Sequence, residues 1–449
     1  MPGDERRNAT RGSPVSVEPG PVASLSPPRV HGSADARFAR VRDAFAHNQA
    51  ADDAAGASVC VYFRGQKMVD LWGGVNPLTH QAWTGDTVTT IFSATKAATA
   101  LCAHLLAQRG LLDYDAPVAR YWPEFAAAGK STMPVRWLLS HKSGLPSPDA
   151  AFQLRIEDYA DWDRMVAALA SQRPWWEPGA HAYYHAITFG FLVGEVVRRV
   201  SGMTVGQFFA REVARPLGLN FWIGMDRTFD SFYAPGILPA KGTDAYWAGV
   251  PEPERPQPGA PARTPIDVIR RLGLDPDSTA AQVPWVRAQL LMPDATGIPG
   301  SEFFNSRAFR AAEIPASSGV ANARALAKMY AACIGEVDGV CLLRPETVKA
   351  LRRCETDGVS APPQNIVLGR GVSPRLGLGF QLPTPVMPLL GEGSFGHHGA
   401  GGRLGFAHPE LGVAFGYVSA RIWRDHTGAD PRWTRLCDAL RESMQAISS

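Results

Sequence analysis

The sequence predicts an α+β fold in which one antiparallel sheet, built from both chain ends, is flanked by helices, with a mainly helical region inserted between the ends. Strand-like patterns occur near both ends of the chain, at 57–71 and again at 376–417. The segment between them, above all 156–219, carries apolar residues at helical spacing. The predicted sheet regions are about 33–90 and about 300–449, and the predicted helical region is about 91–299.

The N-terminal part of the chain begins with a leader rich in Pro, Ser, Gly and Arg. This composition predicts disorder over 1–32, because too few apolar side chains are present to build a core. A helix is predicted over Ala34–His47, and two strands over Ala57–Leu71. A long apolar helix then begins near Ser93 and ends at Arg109-Gly110, where glycine favours termination.

The C-terminal part changes from an irregular segment to a glycine-spaced β pattern. Pro, Gly and Ala dominate from Ala234 to Pro265, which predicts an irregular loop. A turn at Pro409-Glu410 predicts that the last two strands form a hairpin, and a final helix is expected over Pro431–Ile447. The predicted β segments are Leu376–Gln381, Gly393–His397, Leu404–His408 and Gly412–Tyr417.

Composition excludes several classes of function. The chain has 449 residues, 45% of them hydrophobic, so it can bury a large core. A net charge of +3 without a basic block argues against a nucleic-acid or acidic-lipid surface. The six cysteines are scattered and form no CxxC pair, which argues against a zinc or redox site. No transmembrane span and no apolar secretion signal are found, so we expect a cytoplasmic protein.

The pair Ser93 and Lys96 is the strongest chemical signal in the sequence. Residues at i and i+3 are neighbours on a helix, so the lysine amine would lie beside the serine hydroxyl. A serine needs such a base or cation before it can act as a nucleophile. The alternative interpretation is an ordinary helix cap at Ser93. No other lysine in the chain has a serine three residues before it.

Tyr184 is a second candidate, because Tyr184-His185-Ala186 follows a Pro-Gly turn and precedes an apolar helix. If its hydroxyl lies near Lys96, the ammonium would favour the phenolate and make the tyrosine a usable general base. The alternative is an ordinary half-buried aromatic residue. The adjacent Tyr183 is an alternative candidate for the role assigned to Tyr184.

A third candidate segment combines His397 and His398 with a glycine-rich strand. Glycines let a substrate approach backbone amides, which suits an edge strand that offers an oxyanion donor. A metal site is less favoured, because adjacent residues of a strand point to opposite faces. The sequence contains no Gly-x-Ser-x-Gly, which disfavours an α/β-hydrolase.

In this order, Ser93-x-x-Lys96, Tyr184-His185-Ala186 and His397-His398-Gly399 resemble the three motifs of class C-type serine β-lactamases and penicillin-binding proteins, and most closely those of family VIII carboxylesterases. The similarity extends over about 35–440 and includes the segment Leu138-Leu139-Ser140-His141. The resemblance implies that 33–449 forms a β-lactamase-like serine hydrolase domain.

The same resemblance implies roles for individual residues. Ser93 would be the acylated nucleophile, and Lys96 with Tyr184 the activating pair. The backbone N–H groups of Ser93 and Ala400 would form the oxyanion hole. Residues that would line the bound substrate are His397, His398 and Gly399. His141 is interpreted as structural, and no metal or organic cofactor is implied.

Two positions depart from the lactamase pattern. Ala186 stands where those enzymes have an asparagine, and His397 where they have a lysine, which weakens recognition of an acylamino side chain and a carboxylate. The sequence therefore predicts a serine ester hydrolase that acts through a covalent acyl-enzyme on small, short-chain carboxylic esters. The alternatives are an acyltransferase on the same site, a β-lactamase or D-amino-acid peptidase, and a non-catalytic binding protein on the same scaffold.

Overall fold

The computed structural model describes residues 30–51, 55–76, 78–149, 152, 156–237, 303–360, 362, 375–423 and 430–448. Its strands are β1 (Val30–Ala34), β2 (Ala57–Phe63), β3 (Gln66–Gly73), β4 (Thr89–Thr90), β5 (Phe221–Trp222), β6 (Val320–Ala321), β7 (Phe395–Gly399), β8 (Arg403–His408) and β9 (Val413–Ser419). Its helices are α1 (Ala39–Ala51), α2 (Thr95–Gln108), α3 (Val135–Leu139), α4 (Trp162–Ser171), α5 (Thr188–Ser201), α6 (Val205–Phe209), α7 (Arg215–Leu217), α8 (Arg307–Ala311), α9 (Ala323–Ile334), α10 (Pro345–Leu351) and α11 (Pro431–Ser448).

Strands from the two chain ends form one antiparallel sheet, in the order β1-β3-β2-β9-β8-β7. The junction lies at β2, which pairs with β3 on one side and with β9 on the other. The predicted hairpin is present as β8 and β9, with Leu404 opposite Tyr417. The predicted α+β fold, with a sheet contributed by both chain ends, is confirmed.

Both faces of the sheet are covered, as the sequence of β2 shows. Val59, Val61 and Phe63 alternate with Cys60 and Tyr62, and every residue of this strand is buried. The valine face belongs to an apolar cluster with α1 and α11. The opposite face belongs to the larger core, which includes α2, α5 and α9. The sheet is therefore the middle layer between two groups of helices.

Two glycines bring α9 unusually close to the sheet. Gly405 of β8 and Gly416 of β9 are paired across the ladder. A Cβ atom on Gly416 would lie 2.2 Å from the carbonyl oxygen of Ala323, and one on Gly405 would lie 2.6 Å from the Tyr330 ring. Larger residues at these positions would push the helix away from β8 and β9.

The helical region meets the sheet at a second, smaller antiparallel sheet, in the order β4-β6-β5. Strand β4 stands directly before Phe92 and Ser93, and Ile91 N–H donates to the carbonyl oxygen of Gly319 at 2.9 Å. Helix α2 follows and is buried along almost its whole length. This small sheet therefore fixes the chain just before the predicted serine.

The structure corrects several predicted boundaries. Strand β1 begins at Val30, so the predicted leader boundary at residue 32 falls inside a strand; residues 1–29 lie outside the described part of the chain. The first helix begins at Ala39, after a 3-10 turn. The segment Leu376–Gln381 is not a strand, because its two ends bridge each other across a tight turn. Of the predicted loop from Ala234, residues beyond 237 are outside the described chain.

A search of the described residues for membrane-spanning helices finds no helix of sufficient length and hydropathy.

Candidate active site

Ser93 lies at a sharp turn between β4 and α2. Phe92, the residue before it, has a φ of 47°, in the left-handed region that costs a non-glycine residue about 1–3 kcal/mol. The Phe92 ring is buried and packs edge-on against Phe304, with 6.0 Å between centroids, and beneath the guanidinium of Arg403. This packing holds the strained turn that presents the serine.

The Ser93 side chain does not cap a helix. The 3-10 turn Phe92–Ala94 and α2 both begin without a side-chain cap hydrogen bond. Instead, the Ser93 hydroxyl oxygen accepts a hydrogen bond from Lys96 Nζ at 3.1 Å. The spacing therefore brings the serine and the lysine together as predicted, and the capping alternative is wrong.

Lys96 is fully buried and has three hydrogen-bond acceptors within reach. Besides Ser93, its Nζ donates to the backbone carbonyl oxygens of Ala186 at 2.6 Å and Ala316 at 2.9 Å. Within the described chain, no carboxylate forms an ion pair with this lysine. Burial without a counter-charge lowers the pKa of Lys96 well below its usual value. Burial therefore favours the neutral form of the Lys96 amine in the folded protein.

Tyr184 lies next to this pair, with Lys96 Nζ 4.8 Å from the centroid of its ring. Burial raises the pKa of Tyr184 above its usual value, and the neighbouring Ser93 side chain only partly opposes this shift. This shift favours the protonated hydroxyl over a phenolate. The activating role of Tyr184 stays a prediction.

Tyr183 occupies a different place from its neighbour. Its ring makes an edge contact with Trp176, 6.3 Å between centroids, and its backbone N–H donates to the carbonyl oxygen of His141. Neither contact involves Ser93 or Lys96. Of the two adjacent tyrosines, it is thus Tyr184 that the structure brings to the serine–lysine pair.

The glycine-rich strand is β7, at the edge of the large sheet, as predicted. A Cβ atom on Gly399 would lie 2.0 Å from the carbonyl oxygen of Ile91, so only glycine permits the close approach of β7 to the chain segment before Ser93. Ala400 follows Gly399 directly. The segments that carry the Ser93 and Ala400 amides are therefore in contact.

Both histidines of β7 are neutral bases with a defined tautomer. His397 Nδ1 lies 2.6 Å from the His398 carbonyl oxygen, which can only accept, so Nδ1 carries the proton. His398 Nδ1 likewise donates to Gln381 Oε1 at 2.7 Å. Burial lowers the pKa of His398 to about 4 and that of His397 well below its usual value. Each ring thus offers an unprotonated Nε2.

His397 lies near the predicted catalytic residue Tyr184. It is 1% exposed, its ring centroid is 6.0 Å from that of Tyr184, and its Nε2 has no hydrogen-bond partner among the residues that the structure describes. His398 is half-buried. Within the same residues, no group of three or more His, Cys, Asp and Glu side chains could hold a metal ion.

Three parts of this site were not identified from the sequence. The carbonyl of Ala316 and that of Ala186 bind Lys96, but backbone acceptors leave no trace in residue type. His141, interpreted as structural, stacks on Tyr184 with 5.0 Å between ring centroids. His185 accepts a hydrogen bond from the Ser143 hydroxyl at 2.7 Å. His185 directly follows Tyr184 in the chain, whereas the contact between His141 and Tyr184 was not visible in the sequence.

Comparisons with known sequences and structures identify related proteins. The sequence model of the family described as Beta-lactamase matches residues 41–432. The esterase/β-lactamase LipL of Mycobacterium tuberculosis is 35% identical over 431 residues, 92% of this chain and 89% of that protein. The crystal structure of a family VIII carboxylesterase is 32% identical with a TM-score of 0.75, and the match covers 92% of this chain and 100% of that one.

A penicillin-binding protein homologue from Caulobacter crescentus is 31% identical with a TM-score of 0.73, and the match covers 92% of this chain and 100% of that structure. The predicted family resemblance is confirmed. The chain belongs to the β-lactamase family and is similar over almost its entire length to a family VIII carboxylesterase.

Proposed function

We propose that this enzyme is a serine ester hydrolase that forms a covalent acyl-enzyme on Ser93. The observation that carries the proposal is the set of acceptors around Lys96. Two carbonyl oxygens take up two N–H bonds of the amine, and the third direction faces the Ser93 hydroxyl oxygen. When the amine is neutral, its lone pair is directed at the serine proton. Lys96 is then a general base already positioned for its substrate atom.

The reaction follows from these groups. Lys96 Nζ takes the Ser93 proton while the serine oxygen attacks the ester carbonyl carbon, and the N–H groups of Ser93 and Ala400 stabilise the oxyanion. The tetrahedral intermediate collapses, and the C–O bond to the alcohol breaks. Because the pKa of Tyr184 is raised, its hydroxyl is suited to protonate the departing alkoxide and to recover that proton from Lys96. Water then releases the acid by the same steps.

Uncharged esters with short acyl chains are the proposed substrates. Lys96 is committed to backbone carbonyls, and the two histidines of β7 are held neutral. Among the described residues that contact Tyr184 and Lys96, none offers a free cation to a substrate carboxylate. The names of similar proteins, a carboxylesterase and an esterase/β-lactamase, support an ester substrate. Transfer of the acyl group to an alcohol in place of water would use the same machinery.

Labelling with a fluorophosphonate, followed by peptide mapping, tests the proposal. We expect a single adduct on Ser93. Ser93→Ala should lose the adduct and reduce p-nitrophenyl butyrate hydrolysis by about a thousandfold or more, since a nucleophile is removed. Ser171→Ala is the matched control, because Ser171 ends α4 and, among the described residues, its hydroxyl bonds only to α4 carbonyls. An adduct elsewhere, or an active Ser93→Ala with native circular dichroism, would refute the assignment.

A further inference from the structure

His141 occupies a strained position directly behind Tyr184. It follows α3 with a φ of 60°, in the left-handed region that a non-glycine residue rarely adopts. The side chain is 1% exposed. Such a conformation persists only where the surrounding contacts determine it, and it recurs at functional sites. Two hydrogen bonds and ring contacts join His141 to the segment that carries Tyr184.

Both chain neighbours of Tyr184 are hydrogen-bonded to His141. Tyr183 N–H donates to the His141 carbonyl oxygen at 3.1 Å, and His185 N–H donates to His141 Nδ1 at 2.9 Å. The imidazole packs against the Tyr184 ring, with 5.0 Å between centroids and 31° between planes. On its other side it stacks on Phe189 at 4.9 Å. The tyrosine is thus held from both flanks and from behind by one residue.

The hydrogen bond to Nδ1 also fixes the protonation state of His141. Because His185 N–H donates to it, Nδ1 must be unprotonated, so the neutral ring carries its proton on Nε2. Burial, with further contributions from His185, Lys96 and His397, lowers the pKa of His141 well below its usual value. The ring therefore acts as an acceptor for the His185 N–H.

We infer that His141 is a positioning residue that holds the Tyr184 hydroxyl at Ser93 and Lys96. It acts through Tyr184 and does not exchange a proton with the substrate. The inference rests on the proposed function, in which Tyr184 transfers protons. This role accounts for the strained backbone of His141. With its positive φ, the carbonyl oxygen and the ring of His141 both contact residues 183–185.

Two substitutions separate the contacts of His141. His141→Asn places an amide oxygen where Nδ1 was, and asparagine tolerates a positive φ. His141→Gly keeps the backbone conformation but removes the acceptor and the ring. We expect kcat for p-nitrophenyl butyrate within about threefold of wild type for His141→Asn and about 10- to 100-fold lower for His141→Gly, with KM nearly unchanged, because orientation and not binding is lost.

The same substitutions in a Tyr184→Phe background distinguish positioning from a general structural effect. If His141 acts through the tyrosine, His141→Gly should lower kcat by less than about threefold once the hydroxyl is absent. An equal loss in both backgrounds would overturn the inference while leaving the proposed function intact. Full activity of Tyr184→Phe would overturn the role of Tyr184 and the inference with it.

The test does not depend on the glycine variant folding. If His141→Gly loses its native circular dichroism, His141→Asn alone decides, since it keeps the acceptor and the backbone conformation. A kcat of His141→Asn near that of the wild type then supports the inference. A hundredfold lower kcat in a natively folded His141→Asn would overturn it.

Discussion

Two buried lysines in this protein have nearly the same surroundings. Lys96 donates to the carbonyl oxygens of Ala186 and Ala316, and Lys130 donates to those of Ala127 at 2.8 Å and Gln172 at 2.5 Å. Each amine also lies near an aromatic ring, 4.8 Å from the centroid for Lys96 and 5.2 Å for Lys130. Both side chains are 0% exposed.

The two lysines differ in what lies at the third hydrogen-bonding position of the amine. At Lys96 it faces a serine hydroxyl on a strained turn, whereas no hydroxyl is within hydrogen-bond distance of Lys130 Nζ among the described residues. Burial lowers the pKa of both lysines, to about 8 for Lys130 and well below the usual value for Lys96. A depressed pKa is therefore shared, and a nucleophile in the third position distinguishes the proposed catalytic lysine from the structural one.

The largest expected effect comes from replacing each lysine by methionine. Lys96→Met should lower kcat/KM for p-nitrophenyl butyrate on the order of a thousandfold, because it removes the proposed general base. Lys130→Met should leave kcat/KM within about threefold and lower the free energy of unfolding by about 1 to 3 kcal/mol, because two carbonyls lose the hydrogen bond from the amine. Steady-state kinetics and urea unfolding of both variants measure the contrast.

The comparison would fail if the two variants lost activity to the same extent. Circular dichroism and unfolding midpoints show whether any loss of rate follows a loss of structure. A fully active Lys96→Met with native structure would contradict the role of Lys96 as the base.

A second effect concerns Tyr184, whose ring packs near Lys96 much as that of Phe125 packs near Lys130. Tyr184→Phe keeps the ring and removes the hydroxyl, and we expect about a hundredfold lower kcat. The double variant with Lys96→Met should lose little more than Lys96→Met alone, because the two groups act as a unit. Tyr183→Phe is the matched control. Additive losses would indicate independent roles, and a larger loss at Tyr183 would move the assignment by one residue.

Much of the fold could be predicted because the determining signals are local. Strand alternation in β2 and the turn between β8 and β9 are visible in residue order. The short strands of the second sheet, two residues each, carry too little pattern to be found. The segment from Leu376 to Gln381 was predicted as a strand and is a tight turn, because its apolar residues face the core without pairing in a ladder.

The site was predictable where side-chain identity carries the chemistry. Ser93 and Lys96 are one helical turn apart, so their contact follows from spacing. The contact between Lys96 and the Ala316 carbonyl joins residues 220 positions apart, and no periodicity encodes it. The raised pKa of Tyr184 comes from the burial of its own side chain, which only the packing of the folded chain reveals.

A third, smaller effect concerns substrate charge. Neither Lys96 nor Lys130 is available to a substrate, and His397 offers an unprotonated Nε2 where lactamases of this type have a lysine. A β-lactam needs its carboxylate held, and a missing polar contact costs about 1 to 3 kcal/mol, or about ten- to a hundredfold. Nitrocefin should therefore be hydrolysed more slowly than p-nitrophenyl butyrate by about that factor in kcat/KM. A ratio near one, or in favour of nitrocefin, would contradict the ester preference.

The smallest effect tests what the two lysines share. In the unfolded chain a lysine titrates near 10.5, whereas folded Lys130 titrates near 8. Between these values the unfolded chain binds more protons than the native protein, so the free energy of unfolding should rise with pH across this window. One such group contributes a slope of at most about 1.4 kcal/mol per pH unit. Lys130→Met should remove that contribution, and urea unfolding of both proteins from pH 7.5 to 10.5 measures the difference in slope. Because the other titrating groups are common to both proteins, their effects cancel. Identical slopes would mean that Lys130 keeps its ordinary pKa in the fold, and that burial among carbonyls alone does not favour the neutral amine.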